Sequence, residues 1–366
     1  MRILLLGAEG AGAAFCAIAH RRGFFDALVV ADPEVCAAEE AVKDTDDRFR
    51  VVEFAPSTAD DVAALVRDEQ ITHVVNLADP GLVMPVFEGA FAGGADYLDV
   101  AMSPSQPHPT APYEKCGIKL GDDQFAHDGA WIDAGRLAVV GVGSAPGLTD
   151  VLARYAADHL FTGIEELSTR CVAGATRPRQ VAGWLEPPVV WELERGWQTT
   201  APLSDIEPFE FPDGLGTVDC VGVEHDEVLL MPRWVDAGRV TYKQGVGRGQ
   251  VAELRRAATD GAVAEAAGPG PVSASSCVGV LVTGLGRDRR PRSTYLYHAV
   301  DDGWTLREYG CRSAGWHPAV GVVIALELIA GQVWVGDGVL GAEAFDPVPF
   351  LDLLSELAPP WRLREQ

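Results

Sequence analysis

The chain opens with a strand, turn, helix and strand pattern that constrains its fold more than any other feature. Arg2–Leu6 is an apolar run that leads directly into a glycine-rich turn at residues 7–12. Small residues at 13–20 predict a helix, and a second apolar run at 27–31 ends at Asp32. This order predicts the first βαβ unit of a doubly wound fold that binds a dinucleotide, with the pyrophosphate at the glycine turn and the helix N-terminus.

The turn departs from the fingerprint G-x-G-x-x-G at one position. Gly7 and Gly12 occupy the first and third glycine positions, but Glu9 stands in place of the second. A carboxylate at this position is electrostatically unfavourable, because the backbone approaches the pyrophosphate there. We expect Gly10 to supply the close approach, with Glu9 turned to solvent. The alternative is a turn that needs glycines for conformational reasons only. The predicted cofactor-binding residues of the turn are Gly7, Gly10, Ala11 and Gly12.

Asp32 is the residue that predicts which dinucleotide binds. It lies 20 positions beyond Gly12, where an acidic side chain binds the ribose hydroxyls of NAD. Because Pro33 follows it, there is no adjacent arginine for the 2′-phosphate of NADP, so we expect NAD, with NADP disfavoured. The alternative is that Asp32 caps a helix over residues 33–41, with Pro33 at the first helical position.

Strands and helices alternate as far as about residue 145, with a helix expected at 122–134, which predicts a parallel sheet of roughly six strands. Beyond a helix at 147–160, β-branched runs separated by turn residues predict a mixed or antiparallel sheet. We therefore predict an α/β protein with a Rossmann-type, doubly wound domain at residues 1–146. A second, α+β domain for substrate binding and dimerisation is expected at 147–316, and residues 317–366 are expected to return to the first domain.

Polar residues follow two of the predicted strands of the first domain. Asn76, Leu77 and Ala78 lie at the end of the strand at 72–77, beside the crevice in which such sheets bind cofactors. We predict that they line the ribose and nicotinamide. Asp99 ends the next strand and faces the same crevice, where we expect it to contact the cofactor or the reacting groups. The sequence Asp79-Pro80 also fits the start of a helix.

The composition excludes several kinds of partner. The net charge of −24 argues against binding to nucleic acid and to anionic membrane surfaces, which both need clusters of Lys and Arg. Seven cysteines with no C-x-x-C pair indicate reduced thiols in a cytoplasmic protein, and no metal-ligand spacing is present. The apolar stretch at 318–335 contains Glu327 and Gln332, so we predict a buried helix followed by a strand, not a membrane span.

Several later segments resemble the saccharopine dehydrogenase family, whose members are NAD(P)-linked amino-acid oxidoreductases. No single segment is specific, but they follow one another in the order and spacing of the family along almost the whole chain. They are GADYLD at 94–99, GSAPGLTDVL at 143–152, EHDE at 224–227 (resembling an H-x-E strand), and GVLGAE at 338–343 followed by PF at 349–350.

The resemblance implies a two-domain enzyme with its active site in the cleft between the domains. It implies hydride transfer between a nicotinamide and a carbon that bears an amine. Residues 145–147 are Ala-Pro-Gly, where the saccharopine and carboxynorspermidine branches usually have Asp-Pro-Gly. This favours a lysine 6-dehydrogenase-like activity. The alternatives are reductive condensation of an amine with an aldehyde or keto acid, and a non-catalytic protein that senses nucleotides.

The acid/base group and the substrate contacts are predicted from residue type. Imine chemistry needs a group with a pKa near neutral, for which Lys243 and His225 are the candidates in the second domain. Each also fits an ordinary strand residue. An amino-acid or amine substrate is expected, and arginines suit its carboxylate. The candidates are Arg177, Arg179 and Arg312, although surface arginines are common. We expect the protein to be a homodimer.

Overall fold

The computed structural model describes residues 1–173, 183–247, 249–260 and 274–366. This part of the chain contains sixteen strands and twelve α-helices. The strands are β1 (Arg2–Leu6), β2 (Ala27–Asp32), β3 (Phe49–Glu53), β4 (His73–Asn76), β5 (Asp96–Asp99), β6 (Leu137–Val139), β7 (Phe161–Ala173), β8 (Val189–Glu192), β9 (Gly196–Thr199), β10 (Glu207–Phe211), β11 (Gly216–Gly222), β12 (Ala237–Val246), β13 (Ser275–Gly286), β14 (Pro291–Asp301), β15 (Gly338–Leu340) and β16 (Arg362–Glu365). The helices are α1 (Ala11–Ala19), α2 (Val35–Val42), α3 (Ala59–Asp68), α4 (Val83–Gly93), α5 (Asp122–Phe125), α6 (Asp128–Asp133), α7 (Leu148–His159), α8 (Glu227–Trp234), α9 (Gln250–Asp260), α10 (Asp302–Tyr309), α11 (Ser313–Ala330) and α12 (Pro347–Leu357).

The first sheet is parallel and doubly wound, as predicted. Its strand order is β15-β6-β5-β4-β1-β2-β3, and every described pairing is parallel. The order reverses between β1 and β4, so a crevice opens at the carboxyl ends of these strands, where folds of this class bind their ligands.

The second sheet is mixed, also as predicted. It runs β10-β11-β12-β7-β13-β14-β16, with β8 and β9 attached at β12. Strands β7 and β12 are parallel, and the other neighbours on this path are antiparallel. The C-terminal segment contributes to both sheets, because β15 joins the first sheet while β16 pairs with β14 of the second. The domain boundaries stay predictions.

Helix α11 joins the two halves of the structure. Glycines on this helix permit close approach to two loops: a Cβ at Gly315 would lie 2.9 Å from the Gly10 carbonyl oxygen, and one at Gly321 would overlap the carbonyl oxygen of Gly143. By length and composition α11 is apolar enough to cross a membrane, but 72% of it is buried within the protein, as in the core helices of soluble proteins.

Two local predictions were wrong. The segment 224–227 is not a strand, because residues 223–225 are irregular and α8 begins at Glu227. The predicted helix at 122–134 is interrupted, since α5 ends at Phe125 and α6 begins at Asp128.

Candidate active site

The glycine turn has the geometry that a pyrophosphate needs. Gly7 has φ +93°, and a Cβ there would lie 2.9 Å from the Ala78 nitrogen. Gly10 precedes α1 with φ 55° and ψ −101°, and no described side chain caps the helix that begins at Ala11. A Cβ at Gly12 would overlap the Gly7 carbonyl oxygen, so this glycine allows the helix to pack against the strand. The Gly12 amide donates to the Glu9 carbonyl oxygen at 2.9 Å, so within the described residues the Ala11 and Ala13 amides are the ones in this turn that are left for an anion.

Glu9 is exposed and lies at the rim of two grooves. One, of about 580 Å³, lies over the carboxyl ends of the central strands, and the other, of about 920 Å³, lies between α1, α2 and α10. The first groove is the one that an adenosine would enter, since it is lined by Asp32, Ala78 and Phe54 among others. Glu9 is therefore close to the anion position without closing it.

Asp32 organises the groove through backbone contacts. Its Oδ2 accepts a hydrogen bond of 2.7 Å from the Ala8 amide, and its Oδ1 accepts one of 2.8 Å from the Glu34 amide. Helix α2 begins at Val35 and its N-cap is Glu34, so Asp32 does not cap this helix. Each of its oxygens retains a second lone pair that a ribose hydroxyl can use.

The segment after β4 lines the same groove. The Asn76 Oδ1 accepts a 3.2 Å hydrogen bond from the Ala78 amide, and its Nδ2 donates one of 3.2 Å to the Tyr97 hydroxyl. Leu77 and Ala78 face Gly7 across the turn. Asp79 caps a 3-10 turn at Pro80–Leu82, accepting from the Gly81 amide at 2.8 Å, as the alternative reading of Asp79-Pro80 suggested.

Asp99 is buried and fully engaged by neighbouring groups. Its carboxylate accepts hydrogen bonds from the Gly141 amide at 2.7 Å and from the Gln124 Nε2 at 2.8 Å. Burial raises the pKa of Asp99 to about 7, although these hydrogen bonds oppose the increase. Asp99 therefore ties together the segments that follow β5 and β6, which form one wall of the cleft.

His225 is partly exposed and is paired with a buried carboxylate. Its Nδ1 is hydrogen-bonded to the Glu227 Oε2, and its ring stacks on Tyr242 with centroids 3.8 Å apart and planes 11° apart. Glu227 is fully buried, and its Oε1 accepts a 3.0 Å hydrogen bond from the Thr149 hydroxyl. The imidazole side chain itself is 21% exposed. A partly exposed histidine held by a carboxylate is an arrangement suited to a general acid/base.

The charges around this histidine are negative. Burial alone would lower the pKa of His225, but the carboxylates of Glu227, Asp226 and Glu224 outweigh it and raise this pKa above its usual value. Asp226 accepts a 3.1 Å hydrogen bond from the Met102 amide, so residues 224–227 lie against the segment that follows β5. Burial raises the pKa of Glu224 to about 7, and the Ser105 hydroxyl donates to this side chain at 2.6 Å.

Lys243 does not lie beside His225. It follows Tyr242 in β12, and successive residues of a strand point to opposite faces of the sheet. The Lys243 ammonium is buried on the face away from His225, with ion pairs of 2.8 Å to Asp205 and 3.0 Å to Glu207. A catalytic role for Lys243 stays a prediction without support from this geometry.

Of the three arginines predicted to bind substrate, the structure describes Arg312. Arg177 and Arg179 lie outside the described residues. Arg312 precedes α11; its side chain is 76% exposed and paired with Asp302 at 3.0 Å. Across the described ranges, no group of three or more His, Cys, Asp or Glu residues is placed to hold a metal ion. The cleft residues that were not predicted individually are Glu224, Asp226, Glu227 and Tyr242, and the acidic run at 224–227 was the available signal.

Known proteins resemble this chain in sequence and in fold. A family model described as "Saccharopine dehydrogenase NADP binding domain" matches residues 3–139. A carboxynorspermidine synthase of Vibrio alginolyticus is 24% identical over 418 residues, which cover 100% of this chain and 97% of that protein. A carboxyaminopropylagmatine dehydrogenase of a Synechocystis species is 22% identical, over 98% of this chain and 96% of that protein.

Two solved structures share the fold over the whole chain. The apo saccharopine dehydrogenase (L-Glu forming) of Saccharomyces cerevisiae has a TM-score of 0.68 at 10% identity, covering 100% of this chain and 99% of that one. A homospermidine synthase of Legionella pneumophila, in complex with NAD, has a TM-score of 0.64 at 12% identity, covering 100% and 91%. At these identities the likeness shows the fold alone.

Proposed function

Because this chain belongs to the saccharopine dehydrogenase family, we propose that it joins an amine to an aldehyde or keto acid by reducing the imine between them. The coarser activity, an NAD(P)-dependent oxidoreductase that acts on an amine-bearing carbon, follows from the family in either direction of reaction. Relatives that span the chain from end to end are a carboxynorspermidine synthase and a carboxyaminopropylagmatine dehydrogenase, which supports the condensing reaction.

Oxidation of a free amino acid, as in lysine 6-dehydrogenase, is the second candidate. Only Ala145, in place of the Asp expected in the condensing branch, favours it. The relatives that span the whole chain do not carry this activity in their names. We therefore place the condensing reaction first.

The glycine turn and Asp32 would hold the dinucleotide, since no described side chain caps α1 and a groove of about 580 Å³ extends from the turn past Asp32. When bound, the nicotinamide supplies or accepts the hydride. We propose NAD as the preferred form, because Asp32 and Glu34 both line this groove and their carboxylates would disfavour a 2′-phosphate. The name of the matching family model includes NADP, and fluorescence titration of the protein with NADH and with NADPH distinguishes the two.

The observation that carries the proposal is the His225–Glu227 pair in an acidic cleft. Asp226 and Glu224 lie beside it, so the cleft favours a substrate that carries positive charge, as amines do at neutral pH. Condensation needs a proton at the departing hydroxyl when the amine adduct loses water. We assign this proton to the His225 Nε2, with Glu227 orienting the ring through its Nδ1 and stabilising the protonated form.

Purified protein with NADH and pairs of a diamine and an amino-acid aldehyde or keto acid tests this function. We expect loss of the reduced-nicotinamide absorbance only when both partners are present, and a secondary amine as the product by mass spectrometry. His225→Gln should lower kcat by about 100-fold or more, the usual contribution of a general acid/base. His20→Gln, at a histidine near the protein surface, is the control.

Several results would contradict the proposal. NAD-dependent oxidation of single amino acids with no condensation would favour the lysine 6-dehydrogenase-like activity. Tight NADH binding without turnover of any amine or amine–carbonyl pair would favour a nucleotide sensor. Wild-type kcat in His225→Gln would remove this residue from the reaction.

A further inference from the structure

A largely irregular segment connects the first sheet to the second. This segment, residues 102–121, lies between β5 and α5, and we call it the bridging loop. Its Pro112 carbonyl oxygen accepts a 2.9 Å hydrogen bond from the Thr199 hydroxyl of β9. The bridging loop leaves the parallel sheet and is therefore fixed at its far end to a strand of the second sheet.

The bridging loop contacts the residues on both sides of His225 in the chain. The Met102 amide donates to the Asp226 Oδ1 at 3.1 Å, and the Ser105 hydroxyl donates to the Glu224 Oε2 at 2.6 Å. The Asp226 Oδ2 in turn lies 4.0 Å from the His225 Nδ1. The position of the loop therefore determines where these two carboxylates lie relative to the imidazole.

Gln124, on α5, fixes the start of the bridging loop. Its Oε1 accepts a 2.7 Å hydrogen bond from the Ser103 amide, and its Nε2 donates one of 2.8 Å to the Asp99 Oδ2. These partners define the orientation of the side-chain amide, because a backbone amide only donates and a carboxylate only accepts. The Ser103 carbonyl oxygen accepts from the Gly121 amide at 2.9 Å, so the start of α5 holds both backbone polar groups of Ser103.

Water cannot take the place of Gln124 in this contact. Gln124 and Ser103 are both 0% exposed. Without the Gln124 carbonyl oxygen the Ser103 amide would be buried and unpaired, a state that native proteins rarely tolerate. The start of the loop would then shift towards another acceptor, and its contacts with Asp226 and Glu224 would shift with it.

We propose that Gln124 is a positioning residue of the active site: through Ser103 it holds the bridging loop, and with it the carboxylates of Glu224 and Asp226, beside His225. Gln124 acts through the loop and not on the imidazole itself. Its importance for the reaction rests on the proposed function of His225 as the acid/base group.

The protonation of His225 reports on this arrangement. Burial lowers the pKa of His225, and the charges of the three neighbouring carboxylates raise it above its usual value. Glu227 holds the ring from α8, whereas the other two carboxylates are the ones that the bridging loop holds. The titratable groups around this histidine are Glu224, Asp226 and Glu227 in its own segment, Tyr242 on β12, Cys171 on β7 and Asp150 on α7.

Gln124→Met and Ser105→Ala test the two ends of the connection. Met keeps the length of Gln124 but removes both hydrogen bonds, and Ser105→Ala removes the hydrogen bond to Glu224. In each variant we expect the pKa of His225, measured by NMR of its imidazole, to fall by about half a pH unit or more, because a carboxylate that stabilises the protonated ring is no longer held beside it. His225→Gln identifies the resonance, and Gln332→Met, at an exposed glutamine beyond α11, is the matched control.

The pH dependence of kcat/KM is the second readout. If protonated His225 supplies the proton, kcat/KM falls as the pH rises through the pKa of His225. This alkaline limb should move to lower pH by the same half unit in both variants, so the ratio of wild-type to variant kcat/KM should be about threefold larger on the limb than on the plateau at lower pH. A merely structural role would lower kcat/KM by one factor at all pH values and leave the limb in place.

The NMR readout needs no substrate, so it separates this proposal from the proposed function. A lowered pKa of His225 in a protein that condenses no substrate would support the positioning role and reject the reaction. An unchanged pKa of His225 in folded Gln124→Met, or an alkaline limb that does not move, would overturn the positioning role. If Gln124→Met does not fold, Gln124→Asn replaces it, because the shorter side chain cannot reach both Ser103 and Asp99, and an unchanged pKa of His225 in that variant has the same meaning.

Discussion

Replacement of His298 by Gln should make the protein less sensitive to mild acid. His298 is buried in β14 and is hydrogen-bonded on both ring nitrogens. Its Nε2 lies 2.9 Å from the Pro359 carbonyl oxygen, and its Nδ1 lies 2.7 Å from the Nε2 of His317 on α11. A carbonyl only accepts, so Nε2 of His298 carries the proton and its Nδ1 accepts from His317. The remaining Nδ1 of His317 then accepts from the Ser276 hydroxyl at 2.8 Å. Every ring nitrogen in this series of hydrogen bonds has a partner when both imidazole rings are neutral.

The size of the effect follows from linkage. Burial lowers the pKa of His298 from 6.5 to about 4, and burial and the neighbouring ring lower the pKa of His317 as well. The folded pKa of His298 is depressed, so the stability it contributes is present above pH 6.5 and is lost as the pH falls towards 4. At pH 4.5 the unfolded state binds this proton and the folded state largely does not, which costs about 2.5 kcal/mol relative to neutral pH.

Buried carboxyls act in the opposite direction. Burial raises the pKa values of Asp99, Glu224 and Glu343 to about 7. Through these groups, the free energy of unfolding increases as the pH falls. The wild type and the His298 variant share these groups, and their contribution cancels in a comparison of the two proteins. The comparison therefore reports on His298 and on His317, whose pKa the His298 ring also lowers.

Urea unfolding at pH 7.5 and 4.5 measures the difference. The variant is expected to be less stable at pH 7.5, because it loses the hydrogen bond with His317. Its free energy of unfolding should fall by about 2.5 kcal/mol less than that of the wild type between the two pH values. His127→Gln, at a surface histidine, is the control. Identical pH dependences in the wild type and in His298→Gln would refute the reasoning.

Two further predictions concern the cofactor turn and the second sheet. Glu9→Gly should lower the Kd for NADH by about fivefold, because it removes a negative charge from the rim of the pyrophosphate position. Fluorescence titration measures this Kd. An unchanged or higher Kd would show that the Glu9 side chain points away from the pyrophosphate. Lys243→Ala should lower the free energy of unfolding by about 2 kcal/mol in a urea titration, since it leaves Glu207 without this partner, but should change kcat by less than twofold. A large loss of kcat in a variant of wild-type stability would return Lys243 to the active site.

The first domain could be predicted closely from its sequence. Its central strands are buried on both faces, so each is a continuous apolar run whose ends are marked by polar residues such as Asn76 and Asp99. The start of α3 was also predictable, because Thr58 forms a capping box with Asp61.

The second domain could not be predicted in the same detail. Strands β8, β9 and β10 are short and are partly exposed, so they lack a continuous apolar run. The alternation in β12 showed that Tyr242 and Lys243 point to opposite faces, but not which face borders the cleft. The sequence motif around His225 misassigned the backbone of this segment as a strand, because Glu227 begins a helix.

The long-range contacts of α11 are the feature of this structure that is hardest to predict from local sequence patterns. Gly315 lies against the turn that precedes α1, Gly321 lies against the loop at 143–147, and His317 is hydrogen-bonded to β13 and β14 of the second sheet through Ser276 and His298. One rigid helix thus contacts the cofactor turn, the cleft loop and the substrate domain. None of these contacts is local in sequence, and two of them depend on residues that lack a side chain. Because α11 makes all three contacts, the geometry between the glycine turn and the loop at 143–147 depends on the packing of this helix as well as on the residues of those two segments.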